Sequence, residues 1–203
     1  MSKTRILILS AVLIIGSYGL AGAVDLTGRF GFGFNNQTEA SFASAGVSDS
    51  VTSLSLKYHN SPKTAFAVLF GVGYDSYDPE EGDGASASRV AIGGKFFYNI
   101  REEKQMNVYV GAGGIILRES HDEAIGDFGA ATVSTFLFKI PGYIGGEFFL
   151  AGLPNLGISL ETGIELILGS NTIDPEGGDE FDTGLFQFGT AGGIFNVGVH
   201  YYF

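Results

Sequence analysis

The chain has 203 residues, no cysteine, no tryptophan and 32 glycines, about twice the usual ~7% share. Its formal charge is −11, and charged residues make up only 16%, against ~25% in an average soluble domain. These numbers exclude disulfides, thiolate metal sites and cysteine nucleophiles, and they argue against a nucleic-acid binder, which needs a basic face.

Residues 1–23 read as a secretory signal peptide. Lys3 and Arg5 form a basic start, Ile6 to Tyr18 an apolar run, and Ala21-Gly22-Ala23 a small-residue cleavage site. An uncleaved anchor helix would need about 20 apolar residues, and this core is shorter. Cleavage after Ala23 leaves residues 24–203 as one domain. It loses two of the 11 basic residues and keeps all 22 acids, for a formal charge of −13.

Beyond the signal the apolar pattern has period two, the signature of strands with two distinct faces. In chain order the large apolar faces are Leu26, Phe30, Phe32 and Phe34, then Leu54, Leu56 and Tyr58. Phe66, Val68, Phe70, Val72 and Tyr74 form the third, and Val90, Ile92, Phe96 and Tyr98 the fourth. Val108, Val110, Ala112 and Ile116 follow, then Ile144, Phe148 and Leu150, then Ile158, Leu160, Ile164 and Leu166. Phe195, Val197, Val199, Tyr201 and Phe203 form the last. The opposite faces are small, glycine-rich or charged. That predicts eight strands near the ~9–11 residues a tilted strand needs to cross a bilayer.

The connectors alternate in length. Short ones are His59–Lys63, Arg101–Gln105 and Ala151–Asn155; long ones are Asn35–Ser50, Asp75–Ala87, Arg118–Val133 and Gly169–Thr183. Short turns on one rim and long loops on the other are the pattern of an outer-membrane barrel. A soluble sandwich or lipocalin-like barrel also alternates, but it puts bulk inside and polar groups outside. The expected fold is therefore all-β: an eight-stranded, antiparallel, up-and-down transmembrane β-barrel, with Tyr58, Tyr74, Tyr98, Tyr201 and Phe203 as girdle aromatics.

At the C-terminus Asn196, Gly198, Tyr201 and Phe203 fill the four places of a sequence that resembles the outer-membrane assembly signal, which implies recognition by the barrel-assembly machinery. In layout the whole chain after the signal resembles the small eight-stranded OmpA-barrel and OmpX family, without the periplasmic peptidoglycan-binding domain. The resemblance implies residence in the outer membrane of a Gram-negative-type bacterium, among outer-membrane lipid and lipopolysaccharide. No cofactor and no nucleic-acid partner is expected, and no extracellular partner is indicated by any motif.

The alternation points Arg29, Lys57, Arg89 and Lys95 into the lumen from the first half of the chain. Glu147, Glu161 and Glu165 point in from the second. Lys139 joins them if the sixth strand starts near Ser134, with Pro141 making a bulge. Buried charges are costly unless paired, so these residues form either a structural ion-pair plug or the lining of a narrow ion path. A lipid A-modifying enzyme is a further alternative, since outer-membrane deacylases and palmitoyltransferases of this size resemble the chain in fold. They need a His near a Ser. His59 falls in a short turn and His121 in a long loop. His200 points inward with no Ser nearby in sequence, leaving only a distant set such as Ser159 and Glu161.

Two long loops share the pattern DPExGD: Asp78 to Asp83 and Asp174 to Asp179. Asp78, Glu80, Asp83, Asp174, Glu176 and Asp179 are oxygen donors of the kind that suits Ca²⁺, though neither stretch has EF-hand spacing. A solvated turn whose acids keep the tip soluble explains the same residues.

Overall fold

The structure is a computed structural model that describes residues 25–37, 51–77, 85–103, 105–124, 130–175, 179–190 and 196–203. The signal-peptide reading lies outside those residues. The strands are β1 (Phe30–Gln37), β2 (Val51–His59), β3 (Thr64–Tyr77), β4 (Ala85–Glu103), β5 (Met106–Ala124), β6 (Ala130–Leu150), β7 (Leu153–Pro175), β8 (Phe181–Thr190) and β9 (Asn196–Tyr202). Each of β1 to β7 pairs antiparallel with the next, β9 pairs with β7 and β1, and the ring closes. The fold is a closed, eight-stranded antiparallel barrel. Its eighth position is shared: β9 takes Leu156–Glu161 of β7, and β8 takes Ile164–Ile173. The stretch Phe181–Thr190, whose first three residues fall in the expected long connector and whose rest periodicity leaves unassigned, is thus part of the wall.

Closure leaves no free edge, and the alternation decides which face goes in. Large apolar residues face out on every wall strand. Phe32, Val68, Ile92 and Phe186 are 49%, 58%, 52% and 74% exposed. The inward positions carry most of the buried polar groups: Lys57, Lys95, Glu147, Glu161 and His200 are each under 5% exposed. The barrel is thus inverted relative to a water-soluble one.

Several sequence expectations change. The lumen is not lined by small and charged residues alone. Tyr109, Tyr143 and Tyr202 point inward, and each ring lies against the glycine directly opposite on the next strand: Gly145, Gly111 and Gly31. A Cβ on Gly31 would sit 2.6 Å from the Tyr202 ring, so only glycine leaves room for it. Three apolar clusters fill the rest: Leu26, Phe149 and Tyr202 at the short-turn end; Ala65, Ala67, Phe97, Tyr109 and Tyr143 above it; and Ala91, Leu117, Leu137 and Ile167 toward the long loops.

Leu26 does not continue the outer face of β1. Gly28, at φ 78°, turns the chain, Arg29 N–H bonds the Leu26 carbonyl at 2.9 Å, and Leu26 folds beneath the barrel. Just before it, the Thr27 N–H donates to Asp25 at 2.9 Å and holds that carboxyl below its usual range.

Pro141 makes no bulge. It sits opposite Glu165 in unbroken register, and the irregularities fall instead at Asn99/Arg101 and Phe149/Leu150. The long connectors are also shorter than expected, because β3 to β7 run on past the apolar band as paired ribbons. His121 therefore lies in β5 and His59 ends β2, both outside loops.

Candidate functional site in the lumen

Two buried ion pairs span the interior. Lys57 on β2 donates to Glu147 Oε2 on β6 at 2.8 Å, and Lys95 on β4 donates to Glu161 Oε2 on β7 at 2.7 Å. All four side chains are 2% exposed or less. Tyrosines complete each carboxylate: Tyr202 OH donates to Glu147 Oε1 at 2.6 Å and Tyr109 OH to Glu161 Oε1 at 3.0 Å. The cations also lie over rings. Lys57 Nζ is 4.4 Å from the centre of Phe97, and Lys95 Nζ is 5.0 Å from that of Tyr143. Each charge is thus met by an opposite charge, a hydroxyl or a π face, as desolvation requires.

The other lumen charges are placed apart from these pairs. Arg29 donates to Asn155 Oδ1 at 2.9 Å near the short-turn end. Arg89 lies 3.4 Å from Glu119, with His121 at 3.7 Å from the same carboxylate. Lys139 and Glu165 are buried inward on β6 and β7, and Glu165 Oε1 accepts no hydrogen bond among the described residues. Glu119 escaped the sequence reading because it fell in a stretch read as loop.

His200 has a serine partner that sequence distance hid. Its Nε2 is 2.8 Å from Ser55 Oγ, 145 residues away, and its Nδ1 is 3.8 Å from Glu147 Oε1. Ser159 and Glu161 are not its partners: Ser159 faces Gly198, and Glu161 binds Lys95. Serine, histidine and carboxylate follow in the order of a nucleophile relay. But Ser55, His200 and Glu147 are each 2% exposed or less, and Glu147 is already held by Lys57 and Tyr202. In this arrangement the hydroxyl is buried, and the trio packs within the lumen.

Among the oxygen donors considered for Ca²⁺, Asp78, Glu80, Asp83 and Glu176 lie outside the described residues. Asp174 is an exposed residue near the end of β7, and Asp179 is exposed just before β8. The described residues contain no cluster of three metal-binding side chains. At the C-terminus, Asn196 stands opposite Glu161 at the start of β9 and Gly198 is buried against Ser159, while Tyr201 and Phe203 face out.

No protein-family model matches the chain, and no curated protein does. Among solved structures it is similar to a major outer membrane protein from Thermus thermophilus, at 12% identity and a TM-score of 0.48, covering 86% of this chain and 98% of that one. The barrel assignment rests on the closed register itself.

Proposed function

We propose that this chain is an outer-membrane β-barrel whose lumen is closed by ion pairs, and that it works as a rigid mount for acidic extracellular loops. The observation that carries the reading is the exterior. On β4 the outward residues from Val90 to Ile100 are apolar or glycine apart from Tyr98. Ten residue steps at ~3.3 Å, inclined by ~40°, give a band about 25 Å tall, the height of a bilayer's apolar slab. Water would not tolerate such a surface over a whole barrel.

The finer parts of the proposal follow from the sequence: cleavage after Ala23, assembly through the terminal Asn196–Phe203 signal, kinship with the OmpA-barrel and OmpX type, and a Gram-negative-type host. The role is structural and interactive. The buried pairs Lys57–Glu147 and Lys95–Glu161, together with the buried rings of Tyr109, Tyr143 and Tyr202, support a closed lumen over an open channel.

The test is insertion of the chain into lipid vesicles, followed by single-channel recording. A barrel that migrates faster on gels unheated than boiled, and that carries no current, is the expected result. Steady ion-selective steps from the folded barrel would replace the plug with a narrow channel, and failure to enter vesicles would refute the membrane reading.

A further inference from the structure

Arg118 is the outward cation at the long-loop edge of the apolar band among the described residues. It alternates with buried Leu117, so it projects from the outer wall, and it is exposed. Directly opposite it on the two neighbouring strands stand Val90 and Phe136, and two residues below it on β5 stands Ile116. All three are exposed apolar side chains. Two residues above it is Ser120, which pairs with Ser88 on one side and Ser134 on the other. The three serines are outward and at least partly exposed.

Arg118 makes no ion pair or hydrogen bond within the described residues. The next outward acid on its strand is Asp122, four residues on, or about 13 Å along it. Asp122 is already engaged, accepting from Ser86 at 3.0 Å and Thr132 at 3.1 Å. So an unbalanced guanidinium stands where the apolar wall ends, beneath three hydroxyls on three adjacent strands. Ser120 is about 7 Å above it along the strand and the diagonal serines are about 7–8 Å away, all within reach of an arginine side chain plus one phosphate.

From that placement we propose that Arg118, with the hydroxyls of Ser88, Ser120 and Ser134, binds the phosphate of a lipid headgroup in the outer leaflet. The proposal rests on the membrane reading above. A guanidinium is costly at the bilayer midplane and nearly free of cost at the interface, so Arg118 fixes the height of the hydrocarbon boundary. There its fork geometry matches a phosphate, with exposed Val90 and Phe136 opposite it on the neighbouring strands. Among the described residues no acid pairs with it, whereas the leaflet supplies phosphate at this height.

The test uses the full chain expressed with its own leader, purified from membranes and placed in phosphatidylcholine vesicles doped with phosphatidic acid or with diacylglycerol. Retained lipid is counted by native mass spectrometry after transfer to detergent. Wild type is expected to retain phosphatidic acid over diacylglycerol. R118Q should lose about tenfold of that preference, R118K should lose less, and S120A with S134A a few-fold. Equal retention by wild type and R118Q, both inserted and heat-shifted on gels, overturns the phosphate site while leaving the membrane reading intact. Failure of the wild type to insert overturns both.

Discussion

Replacing Glu147 by leucine removes one buried carboxylate and strands two donors. Lys57 Nζ loses its partner at 2.8 Å and Tyr202 OH its partner at 2.6 Å. Breaking a buried ion pair from one side costs about 3–5 kcal/mol, and an unmet buried hydroxyl about 1–3. The Phe97 ring, 4.4 Å from Lys57, is in place with or without the carboxylate and offsets nothing. The net expectation for Glu147→Leu is a loss of about 4–8 kcal/mol, a large part of a typical folding free energy. Lys57→Met alone leaves the carboxylate buried with one hydroxyl and should cost about 3–5. The double variant removes both charges together and should cost only about 1–3, chiefly the stranded tyrosine. The cycle therefore predicts a coupling above about 3 kcal/mol between residues on opposite sides of the barrel. Equilibrium urea unfolding in vesicles, read by the heat-shifted gel band, measures all four proteins. If the double variant costs the sum of the singles, the pair does not hold the lumen and the reasoning fails.

The second lumen pair tests closure. Lys95→Ala with Glu161→Ala deletes the charges that meet at 2.7 Å, and planar-bilayer recording should show current where wild type is silent; a folded, silent variant would assign closure to the rings alone. Gly31→Ala places a methyl 2.6 Å from the Tyr202 ring and should cost about 1–3 kcal/mol, while Gly114→Ala, whose nearest neighbour is the Phe138 ring at 3.7 Å, should stay within about 0.5, both by urea unfolding. Val68→Arg puts a charge near the middle of the band and should cost about 2–4 kcal/mol in vesicles, whereas Thr132→Arg, above the band, should cost about 0–1. Equal costs would mean that the exterior does not face lipid.

What the sequence revealed and what it concealed divide along physical lines. Period-two alternation is a local property, so the inward direction of Lys57, Lys95, Glu147 and Glu161 was legible from each strand by itself. Partner choice was not. Lys57 and Glu147 are 90 residues apart, and they meet because the stagger of every intervening strand pair adds up around the ring. The same holds for Ser55 and His200, which is why serines near His200 in sequence were a poor guide. The inward tyrosines were legible only in part. Alternation sets Tyr109 and Tyr143 opposite the large apolar face, but what makes room for their rings is a cross-strand matter: Tyr109, Tyr143 and Tyr202 fit inside because Gly145, Gly111 and Gly31 stand across from them. Leu26 kept the alternation in phase by chance, and the turn at Gly28 broke it.

The glycine content and the low charge content have one common cause. An eight-stranded wall encloses so little volume that every inward side chain must be matched by a neighbour that yields space or charge. Glycine opposite a ring supplies space, and a carboxylate opposite a lysine supplies charge, so each large or ionised inward residue consumes a second position. That leaves few inward positions free to vary. The outward band is constrained as strictly by lipid, where one arginine is tolerable only at the boundary. Variation without cost to the barrel is then confined to the rim above Ser88, Ser120 and Ser134. The described acids Asp122, Asp174 and Asp182 lie toward that rim, so the rim is the part of the outer surface by which this barrel can differ from another.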